Sequence, residues 1–411
     1  MRILLALLFL TCVALPGMAA DWTRFRGPNG TGIATDANVP MQWDEKNILW
    51  KTTIPGAGNS SPIITGDKLF IQSASKDQLQ RSLYCIDTKS GKVLWTYSAA
   101  GTKVKTHPKN TVASATPATD GKAVYANFWD GDAVTLVACD FEGKELWKQP
   151  LGPFQSRHGA GFSPILVNDL VVVLVDQDNT SVVRAFKAKT GEPVWETSRK
   201  ASEDCSYSTP FIWEREKQKP ELIVATTTGI AGYSPTDGKE LWQWKMRFPG
   251  GPLRMVASPI AVDDLIFVTT GNGGGSRASA VLRPTGTGDI SSVTPVWEKR
   301  KVVPYVPTMV VADGHLYGIN DIGQAICIDA KTGEEVFVER LGGAFTASPI
   351  LVNGQVVSVN EEGVVYVFAA KQTFELIAKN PLNDRVYASP AVANGKLFIR
   401  GQSTLYCIGK K

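Results

Sequence analysis

The 411-residue chain is poor in the residues that most often carry chemistry, with three histidines, six cysteines and six methionines. Setting aside Cys12 near the start, the cysteines are Cys85, Cys139, Cys205, Cys327 and Cys407. That odd, unclustered set excludes the disulfide framework of a small stapled domain. No Cys-x-x-Cys-His segment occurs, which excludes an attached c-type haem. Gly271-Asn-Gly-Gly-Gly275 lacks a following Lys-Ser/Thr, so it is no phosphate loop. Neither sign of charge dominates: 43 basic residues against 39 acidic leave a net +4. That is too little over so large a surface for a nucleic-acid partner. Beyond the first 20 residues no apolar run reaches the ~18 that a transmembrane helix needs.

Residues 1–20 have one positive residue, an apolar run closed by Pro16-Gly17, and small residues before Asp21. This pattern predicts a cleaved secretory leader and an exported protein, periplasmic or extracellular. Residues 21–47 form an N-terminal extension, and residues 48–411 form one repetitive body.

Glycine and proline are abundant, at 38 and 24 residues, which suits many short strands and turns. Eight prolines recur in phase: Pro62, Pro117, Pro164, Pro210, Pro259, Pro307, Pro349 and Pro390. Their separations are 55, 47, 46, 49, 48, 42 and 41 residues, with Ser or Thr before all but Pro307. Each opens a unit of four short strands, and most units end in Gly-x-x-x-Trp or an equivalent. A fixed period of this size marks a repeat architecture. Trp50, Trp95, Trp147, Trp195, Trp242 and Trp297 are expected to dock blade on blade, burying large apolar surfaces. The eighth unit lacks its last strand, and Ile48–Ile54 supplies a spare one. The prediction is an all-β, eight-bladed β-propeller of four-stranded antiparallel blades, its last blade closed by the N-terminal strand. A monomer is expected.

The Asp87-x-x-x-Gly91, Ala188-Lys-Thr-Gly191 and Ala330-Lys-Thr-Gly333 turns before Trp or Phe resemble pyrroloquinoline-quinone (PQQ) repeats. The start, Asp21-Trp-Thr-Arg-Phe-Arg-Gly-Pro-Asn-Gly30, is similar to PQQ-binding-like β-propeller repeat proteins. The resemblance covers nearly the whole chain after the leader. It implies one of two functions: a quinoprotein dehydrogenase holding PQQ and calcium, or a scaffold like the propeller of the outer-membrane assembly machinery. The adjacent-cysteine pair that caps the quinone in many of those enzymes is absent.

In an up-and-down meander the short turns share one face and the longer loops share the other, where binding residues usually lie. Just before the prolines, the loops place Asn59, His107, Lys109, Asn110, Arg157, His158, Asp204, Tyr207, Arg254, Tyr305, Phe345, Arg385 and Tyr387 at the channel mouth. Cations beside aromatics suit an anionic or glycan ligand, and such a surface also suits a protein or peptide partner. The plainer alternative is loop charge that only braces the loops. Asp176-Gln-Asp178-Asn179 is a weak calcium candidate, without the glycine and glutamate of an EF-hand loop. A hydrolase or lyase reading would use Glu203-Asp204 with His158 or Tyr207. The reading favoured is an exported binding or scaffold propeller. The alternative is a PQQ- and calcium-dependent dehydrogenase of alcohols or sugars.

Overall fold

A computed structural model describes residues 21–35, 38–200, 205–246 and 253–410. The predicted leader therefore lies outside the described residues. Eight antiparallel sheets follow one another along the chain. Blade one comprises strands Ile63–Thr65, Lys68–Ala74, Gln80–Asp87 and Val93–Ala100. The inner strands are short and the middle ones almost wholly buried, as in Leu170–Gln177 of blade three. Blade eight closes as expected: Ile48–Thr53 pairs antiparallel with Thr404–Ile408 and completes that sheet.

Seven hydrogen bonds around the channel axis join neighbouring blades, leaving the junction of Ser163 and Thr209 without one among the described residues. The backbone N–H of Ser61 donates to the Thr116 hydroxyl at 3.0 Å, and that of Thr116 to Ser163 at 2.9 Å. Thr209 donates to Ser258, Ser258 to Thr308, Thr308 to Ser348, Ser348 to Ser389, and Ser389 back to Ser61, all at 2.9–3.0 Å. These are the Ser and Thr residues of the repeated dipeptide, with one correction. In blade six the ring position is Thr308, which follows Pro307, so Met309 stands where other blades have proline. Pro307 is therefore not the start of that inner strand, which spans Val310–Ala312.

At the outer edge, each docking indole lies on a turn glycine of the next blade and donates to a carbonyl in that turn. Trp50 Nε1 bonds Thr88 O, Trp95 bonds Phe141 O, Trp147 bonds Ala188 O, Trp195 bonds Pro235 O and Trp297 bonds Ala330 O. Trp242 departs from the expected role, because its indole donates to Glu221 within its own blade. The next blade has no matching glycine turn, and the insertion there adds Gly288–Asp289 in parallel to blade four. Trp244 docks instead, donating to Val293 O at 2.9 Å.

The extension crosses the channel on the short-turn side. Trp22 pairs with Ile64 of blade one, and Thr23 O accepts from Thr119 of blade two. Asn29 exchanges two bonds with Ile212 of blade four, and Ile33–Ala34 pairs in parallel with Leu351–Val352 of blade seven. The buried guanidinium of Arg26 reaches Thr308 O, Met309 O and Pro349 O at 2.7–3.0 Å.

Gly191 has φ +74°, and a Cβ there would sit 2.6 Å from the Trp147 ring, whereas Gly66, at φ +53°, has open space around it. Gly66→Ala should cost about 1–2 kcal/mol from backbone conformation alone, and Gly191→Ala about 2–5 kcal/mol because overpacking adds to it. Chemical denaturation of the two variants checks the order, and equal losses would refute the stacked-glycine reading.

Candidate functional site

The loop-rich face opens into a cavity of about 610 Å³ on the axis. Its floor is Phe25 of the extension, and seven of the eight ring residues line it, all but Ser258. Phe25 is flanked by two buried arginines, so the channel ends blind and beside positive charge. Arg24 donates to Pro210 O at 2.5 Å, and Arg26 bonds only backbone carbonyls among the described residues. Burial alone pulls each guanidinium down to about 9, which still leaves both charged at neutral pH.

Of the residues expected at the mouth, Asn59, His107, Lys109, Asn110, His158, Tyr207, Arg254, Tyr305 and Tyr387 line this cavity. Arg157 and Arg385 are exposed and do not line it. Phe345 is a correction: it is fully buried against Ile319 and Tyr366 in a small core cluster below the mouth. Asp204 and Glu203 lie outside the described residues. The structure adds Arg277 and Asp321, from the loops between second and third strands, and Thr346, which follows Phe345 in the loop before Pro349.

The mouth charges are largely matched to each other. Lys109 Nζ reaches Glu361 Oε1 of blade seven at 2.5 Å, and Thr346 donates to the same oxygen at 2.6 Å. Asp321 accepts from the backbone N–H of Tyr305 at 2.7 Å and of Val306 at 3.2 Å. Arg277 lies 3.5 Å from Asp321 and 5.0 Å over the Tyr305 ring. The guanidinium of Arg254, mostly buried, is hydrogen-bonded to Tyr305. Burial pushes the Tyr305 phenol up, with Arg254 pulling partly back, so it stays protonated at neutral pH. The two mouth histidines come together with ring centroids 5.4 Å apart. Lys109 N–H donates to His107 Nδ1, and Asn110 Nδ2 donates to His158 O. Both loops are thus fastened to each other.

Beside the mouth, Tyr207 Oη, Ser156 Oγ and Cys205 Sγ form a triangle with sides of 2.9–3.0 Å. Desolvation raises the Cys205 thiol to about 11, so it is a buried hydrogen-bonding group and not a nucleophile. The weak calcium candidate has another task. Asp176 accepts from Ser206 N–H at 2.9 Å and Asp178 from Cys205 N–H at 3.0 Å, so both carboxylates brace this loop. Asn179 is a positive-φ turn residue. Among the described residues, no three acidic, His or Cys side chains converge on a metal position.

These features define a PQQ-like eight-bladed propeller with a blind axial cavity. The sequence profile of the outer membrane protein assembly factor BamB matches residues 30–155, 111–338 and 294–376. The chain belongs to this family. The BamB of Burkholderia pseudomallei is 24% identical over 362 residues, covering 78% of this chain and 87% of that protein. A polyvinylalcohol dehydrogenase from Pseudomonas is 29% identical over 196 residues, 44% of this chain but 28% of the enzyme. Among solved structures, BamB from Moraxella catarrhalis superposes with a TM-score of 0.62 at 13% identity, covering 88% of this chain and 99% of that one. The quinohemoprotein alcohol dehydrogenase of Comamonas testosteroni gives 0.67 at 14% identity, covering 95% and 81%. Both likenesses are of fold.

The cavity does not fit a calcium-held quinone. Asp321 lines it and Glu361 stands at its edge, but each is already bound by N–H, O–H or cationic groups. Calcium would need several such oxygens released at once.

All five thiols between Asp21 and Lys410 are buried and reduced, and burial raises them to between about 11 and about 12. At pH 8 a thiol reagent should label none of them in the native protein and all five in guanidinium. Rapid native labelling at Cys205 would contradict the buried triangle.

Proposed function

We propose that this protein is an exported scaffold propeller that binds a polypeptide partner on its loop-rich face, centred on the axial cavity. The carrying observation is the composition of the mouth. Tyr207 and Tyr305 stand beside Arg254 and Tyr387 lines the same mouth, while Lys109 and Arg277 are already bridged to carboxylates. Tyrosine and arginine are the usual anchors of protein interfaces, because they bury large areas at low entropic cost. Family membership supports this reading, as does the outer-membrane assembly role in the relatives' name. The two carboxylates at the cavity, Asp321 and Glu361, are both engaged in holding the loops, which supports a binding surface over acid–base use of these groups. The sequence of residues 1–20 supports export.

The test is site-specific photo-crosslinking in cell envelopes. A crosslinker at Tyr305 or Tyr387 should yield a discrete polypeptide adduct, and one at Asp67 or Asp120 on the opposite face should not. Tyr305→Ala with Tyr387→Ala should weaken capture about 10- to 100-fold. PQQ with calcium should leave the melting temperature unchanged and give no dye reduction with alcohols or sugars. A thermal shift with turnover would overturn the scaffold reading.

A further inference from the structure

The neck of the cavity has a chemistry that the mouth alone does not explain. A serine or threonine hydroxyl has one proton to donate and lone pairs to accept with. In the ring, the hydroxyls of Ser61, Thr116, Ser163, Thr308 and Ser348 accept backbone N–H groups, and none is a donor to any group among the described residues. Thr209 Oγ1 neither donates nor accepts there. A circle of hydroxyl protons therefore faces one enclosed space with no acceptor assigned.

The charge around that space is mixed but leans positive, since Lys109 and Arg277 are paired with Glu361 and Asp321 while the two arginines under the floor have no carboxylate partner among the described residues. Three cations line the cavity (Lys109, Arg254 and Arg277) against one carboxylate, Asp321. Beneath the floor, Arg24 and Arg26 are 6% and 1% exposed, and among the described residues they bond only carbonyls. Among the described residues the Arg24 Nε has no hydrogen-bond partner. Buried cations without an acid partner favour an anion nearby, because low-dielectric surroundings strengthen the attraction.

Shape narrows the choice of anion. A channel closed by Phe25 cannot pass a chain through, so it admits only the end of one. The N-terminal end of a polypeptide is cationic and would meet donors and cations. The C-terminal end is a carboxylate, which accepts from several donors at once. We infer that the hydroxyl-lined neck takes the free C-terminal carboxylate of an extended polypeptide. This rests on the polypeptide-binding reading above and specifies which part of the partner enters.

The probe is a random hexapeptide library, made once with free C-terminal carboxylates and once as C-terminal amides. Binding to the full propeller is measured by fluorescence anisotropy. Free-acid peptides should bind, with their amides at least about tenfold weaker, since hydrogen bonds to a charged acceptor are lost. Thr209→Val keeps the shape, removes one hydroxyl that bonds no neighbouring blade, and should lower the acid-to-amide ratio at unchanged melting temperature. Equal binding of acids and amides would overturn the carboxylate site and leave peptide binding at the mouth standing. Binding of neither set would overturn both. An unchanged acid-to-amide ratio in Thr209→Val would place the preference outside the neck and also overturn the inference.

Discussion

Each inner strand of this propeller faces a channel, and a strand edge facing a channel has backbone donors with nowhere to go. The hydroxyl ring answers that constraint. A buried N–H left without a partner costs about 1–3 kcal/mol, and among the described residues the arrangement repeats at seven of the eight blade junctions, all but the one between Ser163 and Thr209. The next blade's hydroxyl takes the N–H of the Ser or Thr, and proline at the following position has no N–H to satisfy. The dipeptide is therefore a compact solution to axial packing: one residue accepts and the next removes a donor. Because every bond crosses from one blade to its neighbour, the same bonds fix how many blades meet and how close they stand.

Much of this was legible from residues at regular spacing. The proline phase, the Gly-x-x-x-Trp endings and the spare strand at Ile48–Thr53 define eight blades and their closure, because packing at the axis and at the outer edge demands those residue types. Legibility failed where one position took over another's role. Thr308 keeps the hydroxyl in register while Pro307 lies outside it, so the bond was conserved and the dipeptide was not. Trp244 replaces Trp242 in docking because the blade-five insertion moves the acceptor carbonyl. At the mouth, position just before the proline found the tyrosines and histidines. It could not find Arg277 or Asp321, which arrive from the loops between the second and third strands. Phe345 and Tyr305 occupy similar places in sequence, yet one points into a core cluster and the other into the cavity.

The extension was the least legible part, since it has no periodicity to read. Its function in the fold is electrostatic as much as steric. Arg26 satisfies three inner-strand carbonyls of blades six and seven that would otherwise face the channel unbonded, and Arg24 serves blade four. Burying a guanidinium without an acid is costly, and here carbonyl dipoles stand in for the counter-ion. The same segment places Phe25 across the axis. A tube open at both ends thereby becomes a pocket with polar walls, an aromatic floor and positive charge behind it.

That conversion bears on the choice between the two functions the fold can carry, because a fold hosts many functions and only the site can select one. A dehydrogenase and a scaffold of this architecture differ in whether the acidic oxygens of the channel are available. Here Asp321 holds the Tyr305 and Val306 backbone in place, and Glu361 holds Lys109 and Thr346 across the opening. Freeing either for a metal would release the loops that shape the mouth. Loop order and a metal-bound cofactor are thus competing uses of the same side chains. The observed bonds favour loop order, and they hold the tyrosines of the rim around a blind hole.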